Sequence, residues 1–192
     1  FWPGEERVWI EAPWGPWSVR PALGRTLLLA ARPNAPEVCA APQDGPRVVC
    51  FGPGGAERTL TWPLPEAAPR ASRAAVRAWR DSVRVDLALK LDDAEARRVA
   101  GMIPAADPAP PHGTILVDVD GNVWVADEPG RAPVRYRVFD RQGRPLGLVD
   151  VPPLRLLHVG TDRVVGVHTD DLDVQQVRVH VLHRGAPPGS AP

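Results

Sequence analysis

Lysine is almost missing. Lys90 is the only one in 192 residues, and every other basic residue is arginine. Methionine occurs once (Met102), tyrosine once (Tyr136) and cysteine twice (Cys39 and Cys50). There is no surplus of either charge, because Lys+Arg and Asp+Glu both count 23. A nucleic-acid or anionic-membrane surface needs excess positive charge, so neither partner is expected. No apolar run approaches the roughly 20 residues of a membrane-spanning helix. The longest, such as residues 26–31, are strand-sized. Catalytic signatures are missing as well. No H-E-x-x-H occurs, and none of the five histidines (His112, His158, His168, His180, His183) forms a pair with zinc-helix spacing. His180 and His183 are expected to face solvent. Serine is scarce, no G-x-S-x-G elbow exists, and Cys50 has no evident base. Phosphate loops of the G-x-x-x-x-G-K-[ST] or G-x-G-x-x-G kind are also absent. The sequence therefore names no catalytic residue, no metal ligand and no cofactor.

What is present is material for a core, with 44% hydrophobic residues, cut by 24 prolines and 17 glycines into short pieces. The clearest order lies in residues 114–184. Ile115-Leu116-Val117 is a β-branched run that stops at Asp118-Val119-Asp120-Gly121-Asn122, whose Asp-Gly pair signals a tight turn. Val123-Trp124-Val125 follows and ends at Asp127-Glu128-Pro129-Gly130. Tyr136, Val138 and Phe139 predict a third strand, Asp140-Arg141-Gln142-Gly143 a turn, and Leu146, Leu148, Val149 and Val151 a fourth strand. The pattern then restarts. Leu154, Leu156, Leu157 and Val159, then Val164, Val165 and Val167, then Val177, Val179, Val181 and Leu182 predict three more strands, the last in strict alternation. The period is about 40 residues, the length of one four-stranded propeller blade.

An earlier copy reads more loosely. Trp17-Ser18-Val19 is taken as its first strand, 26–30 as its second, and 48–51 and 58–62 as its third and fourth. Residues 33–46 form an extra segment within it. Val8-Trp9-Ile10 reads as an outer strand of a preceding blade. Between the first and second copies the period changes. Val76, Trp79 and Val83 are spaced as one face of an amphipathic helix, and Asp92-Asp93 predicts the cap of a second helix through Val99, ended by Gly101 and Pro104. The organisation expected is blade material in 1–64, a helical insertion with a proline-rich linker in 65–111, two blades in 112–184, and a disordered tail in 185–192.

The block Ile115-Leu116-Val117-Asp118-Val119-Asp120-Gly121-Asn122-Val123-Trp124-Val125-Ala126-Asp127, with Arg137-Val138-Phe139-Asp140-Arg141-Gln142-Gly143, resembles the NHL-type propeller repeat. That repeat carries a D-G-N turn, a strand ending in V-A-D and a strand ending in F-D-x-x-G. The layout is similar to six-bladed β-propeller proteins of bacteria, often exported. The resemblance implies an all-β fold of about three four-stranded antiparallel blades with a helical insertion, in a periplasmic or extracellular protein. A six-bladed ring needs about 240 residues at this period. Three copies do not close it, so the remaining blades are expected from a longer chain or an associated subunit.

The function expected is non-enzymatic, a binding or scaffold module for a protein or small ligand. The alternative is a metal-dependent lactonase- or hydrolase-type propeller enzyme, which needs polar ligands converging on the axis. The first strands of the copies offer chiefly apolar residues, with Arg155 and His158 as exceptions. These two and Trp17 are the weak ligand-binding candidates. The tryptophans Trp2, Trp9, Trp14 and Trp17 read as a stacking platform or, more simply, as wedges between blades. The acidic set Asp118, Asp120, Asp127 and Glu128 has a calcium-loop flavour, but it lacks the closing bidentate Glu, and turn chemistry accounts for it. The arginines Arg70, Arg73, Arg77, Arg80 and Arg84 form a solvated helix face, or a lid for an acidic partner. Cys39 and Cys50 add to one register if their hairpin centres on Asp44-Gly45. A cross-strand disulfide and two buried free thiols are the two readings; the first implies an oxidising compartment.

Overall fold

A computed structural model describes residues 5–64, 70–127, 134–170, 172 and 174–183. Trp2, Glu128, the Pro129-Gly130 turn and the tail 185–192 lie outside them. Thirteen strands and two helices are described, and all strand pairing is antiparallel within four sheets.

The chain opens with a two-stranded hairpin, β1 (Val8–Ala12) and β2 (Gly15–Val19). A four-stranded meander follows: β3 (Leu27–Ala31), β4 (Val38–Pro42), β5 (Arg47–Phe51) and β6 (Glu57–Thr61). This arrangement corrects the reading of the first copy in two places. Residues 17–19 belong to β2 and pair with β1, so the first strand of the meander is β3. The segment 33–46, expected as an interruption, contains the second strand, β4. Val38-Cys39-Ala40-Ala41-Pro42 has one β-branched residue and ends in proline, which hides it from propensity. It becomes a strand because both its neighbours pair with it.

The second meander matches its sequence signals strand for strand. Its members are β7 (Ile115–Val117), β8 (Val123–Ala126), β9 (Val134–Phe139) and β10 (Pro145–Val151). Gly121 and Gly143 have φ of 82° and 84°, the left-handed region where a Cβ is strained, so glycine suits both turns. The third sheet has three strands, β11 (Arg155–Val159), β12 (Arg163–Thr169) and β13 (Gln175–Val181). Three four-stranded sheets were expected; two form.

The three larger sheets stack in chain order, with β3 beside β7 and β7 beside β11. The second sheet is the filling. Ile115, Val117, Val123, Val125 and Phe139 pack against Cys39, Val48, Cys50, Leu60 and Trp62 of the first sheet and its end. Trp124, Ala126, Tyr136 and Val138 turn the other way and pack against Leu154, Leu156, Val159 and Val164. Strand alternation therefore gives β8 two buried faces, and all four of its residues are buried.

Helices α1 (Arg73–Leu87) and α2 (Asp93–Met102) sit between the first two meanders, as their periodicity predicts. The Ser72 hydroxyl accepts from the Ala75 N–H, and the Asp92 carboxylate from the Glu95 N–H, satisfying one orphan donor at each start. α2 buries Ala96, Val99 and Ala100, whereas α1 buries no residue and packs on α2. The chain after α2 is tied to the β2–β3 connection, where the Ala22 N–H donates to the Pro104 carbonyl and the Ala106 N–H to the Ala22 carbonyl.

Candidate functional site

The first strands of the meanders supply the ligand-binding candidates. β11 places Arg155 opposite Val167 and His158 opposite Val165 in the ladder with β12. Both side chains are exposed. They share the face that carries Val177 and Val179 of β13, opposite the one packed on the second sheet. Trp17 is not part of this group. It sits in the β1–β2 hairpin, edge-on to Trp14 with ring centroids 5.6 Å apart. Trp9 is 74% exposed on the same hairpin, so these rings do not fill a wedge between the described sheets.

Two of the acidic residues with a calcium flavour, Asp118 and Asp127, are engaged by neighbouring protein groups, and Glu128 lies outside the described residues. Asp118 is fully buried, and its carboxylate accepts from the Asn122 N–H, the Asn122 side-chain amide (both 2.8 Å) and the Trp124 indole (3.2 Å). Asp127 accepts from Arg137 at 2.7 Å. Asp140 closes the next turn by accepting from the N–H groups of Gln142 and Arg144 and from the Arg144 guanidinium. Burial pushes its pKa up, and those donors pull it further the other way, so it lies below the usual carboxylate value. These are bracing roles, which fits Asp as a turn residue.

Cys39 and Cys50 face each other in the β4–β5 ladder and are joined by a disulfide. The four-residue connection 43–46 keeps the register that centres the hairpin on Asp44-Gly45. Glu37 is close to both sulfurs and completes a potential metal-ligating trio. With the sulfurs bonded to each other and Glu37 held by Arg58 at 2.5 Å, that trio serves structure.

A cleft of about 520 Å3 lies along α1 and α2. Arg73, Arg77, Arg80 and Arg84 line it from α1, and Arg97 from α2. Of the arginines expected as a solvated face or as a lid for an acidic partner, Arg73, Arg77, Arg80 and Arg84 share this concavity, Arg73 and Arg77 remaining exposed, and Arg70 does not line it.

Compared with protein-family models, with curated proteins and with solved structures, the chain finds no match.

Three features of the geometry had no sequence signal. Arg58 of β6 holds Glu37 and also donates to the carbonyls of Asp140, Arg141 and Gly121, linking the first sheet to two turns of the second. Gln43 accepts from the Thr26 N–H and donates to the buried His112 carbonyl, so one amide joins three segments. The third is an apolar face at each end of the stack. The first sheet leaves Leu29 64% exposed, with Val38 and Phe51 beside it; the third leaves Val177, Val179 and Val181 between 60% and 71% exposed. His180, expected to face solvent, turns to the opposite side, and its Nε2 is buried without a partner among the described residues. His183 is exposed.

Proposed function

We propose that the chain is a section of a β-propeller that serves as a non-enzymatic binding scaffold for a protein or small ligand. One observation carries the reading: three meander sheets stack in chain order with their first strands side by side. Neighbouring first strands with the later strands fanning outward are the arrangement of consecutive blades. The exposed apolar residues on the outer face at each end support continuation of the stack by further sheets of the same kind. The β1–β2 hairpin and the three-stranded third sheet read as incomplete members of such a series. The NHL-type turn motifs at Gly121 and Gly143 support the same assignment.

The scaffold reading rests on the inner strands. β3 and β7 carry leucine, isoleucine, valine and alanine, and β11 adds only Arg155 and His158 as polar residues. A metal-dependent hydrolase requires several converging oxygen or nitrogen ligands. The deciding measurement is elemental analysis after exhaustive dialysis, paired with a lactone-hydrolysis assay. A scaffold retains no stoichiometric calcium or zinc and leaves the lactone intact. A stoichiometric metal together with turnover would replace this proposal by the hydrolase.

A further inference from the structure

Four arginines in a chain with no net charge fall on one side of one helix. Arg73, Arg77, Arg80 and Arg84 are spaced by four, three and four residues, which places them in a single row along α1. Arg97 adds a fifth guanidinium from α2, and all five line the same cleft. Asp81 is the only carboxylate in the lining, and among the described residues it makes no ion pair. Like charges three and four residues apart on a helix destabilise it. α1 carries that cost and buries no residue of its own.

The five groups are not equivalent. Arg80 donates through both Nε and Nη2 to the Ile103 carbonyl, at 3.2 and 2.6 Å. Arg84 and Arg97 reach the two oxygens of the Asp93 carboxylate. One carboxylate thus holds two cations, and their charge is only half compensated. These contacts fix three guanidinium groups around the cleft. Arg73 and Arg77 have no hydrogen-bond or ion partner among the described residues. The remaining lining (Ala71, Val76, Ala100, Gly101, Ala105) is small or apolar. It leaves room, and Asp81 is the one acidic side chain set against five arginines in the lining.

The geometry points to a binding site for a small polyanion, a molecule bearing two or more phosphate or carboxylate groups. Arg73 and Arg77 close on the ligand, while Arg80, Arg84 and Arg97 supply a fixed positive field. Planar guanidinium groups suit both anions, because each presents paired oxygens to a two-pronged donor. A cleft of about 520 Å3 is the size of a metabolite site. A nucleic-acid track would need the charge to run on across the surface, whereas here it is gathered in one concavity.

The test is isothermal titration of the whole chain at low ionic strength, with pyrophosphate and citrate as separate probes. Saturable one-to-one binding of at least one probe is expected, weakening as salt is raised. The stronger probe identifies the phosphate or the carboxylate source. Arg73→Ala with Arg77→Ala should weaken binding at least tenfold, and Arg178→Ala, on the far strand β13, should leave it unchanged. Alanine is the better helix former, so helicity and melting temperature of the double variant should hold or rise. Binding and stability therefore move in opposite directions, which a merely solvated face does not produce. The inference is overturned if neither probe saturates, or if the double variant binds as the native chain does. It stands apart from the scaffold reading, since the cleft lies in the helical insertion.

Discussion

His112 is the residue where burial and chemistry meet most sharply. It is fully buried, edge-on to Trp62, with Nδ1 3.1 Å from the Gly113 carbonyl and Nε2 without a hydrogen-bond partner among the described residues. Burial lowers its pKa from the ordinary 6.5, and the Gly113 and Pro42 carbonyls and the Asp44 charge oppose that without reversing it. The unfolded chain then binds a proton at a pH where the fold does not. Stability from this group is complete above 6.5 and falls as the pH drops from there toward the lowered value. Denaturant midpoints measured between pH 7 and pH 5 should decline more steeply for the native chain than for His112→Gln. Parallel declines would refute a buried neutral imidazole. Arg58 makes a second residue-scale case. Arg58→Ala leaves a mostly buried Glu37 with only the 4.0 Å contact to Arg32 and frees three carbonyls, so it should cost about 2–3 kcal/mol in chemical unfolding, discounted for its partial exposure. Neither residue announces itself in sequence. His112 follows directly on the proline-rich stretch 104–111 that reads as linker, and the Arg58–Glu37 pair spans 21 residues and exists only through strand register.

Among the elements, the second and third meanders were legible because local signals agree. Asp-Gly turns, apolar alternation and β-branched residues mark the same boundaries. The first meander was misread by one strand because two cues pointed elsewhere. Trp17-Ser18-Val19 has strand propensity but answers β1 through a turn at Pro13-Trp14, and β4 has an alanine-rich strand that only its neighbours justify. The disulfide belongs to this scale, since it joins β4 to β5 inside the first core. Replacing both Cys39 and Cys50 by alanine should lower unfolding free energy by about 2–3 kcal/mol, from the lost restriction on the unfolded chain. Reducing agent should then shift the native melting curve and leave the variant's unchanged. Equal response of both would count against the bond. Gly166 offers an independent check on the third sheet. A Cβ there would come within 2.9 Å of the Leu154 Cβ and 3.0 Å of the Arg155 carbonyl oxygen. Gly166→Ala should therefore destabilise by about 1–3 kcal/mol, measured by denaturant unfolding.

The whole molecule presents a repeated problem solved twice and left open twice. The second sheet packs both its faces on like sheets, whereas the first and third each pack one face on it and carry exposed apolar residues on the other. Exposed contiguous apolar faces promote association. Light scattering should show a mass that rises with concentration. Val177→Lys with Val179→Lys should suppress the rise without lowering stability, because these side chains point away from the core. A native chain that stays monomeric at high concentration would contradict the expected pairing of end faces.

Local patterning in the sequence determined the strands of the last two sheets, their glycine turns, both helices and the Asp92 cap that starts the second, because each depends on residues within a few positions of one another. Only the tertiary structure decided which strands share a sheet at the N-terminal end, that Arg58 binds across two sheets, that His112 is enclosed, and that arginines from two helices surround one cleft. Those outcomes depend on register and stacking between distant segments, and short-range periodicity carries no record of either.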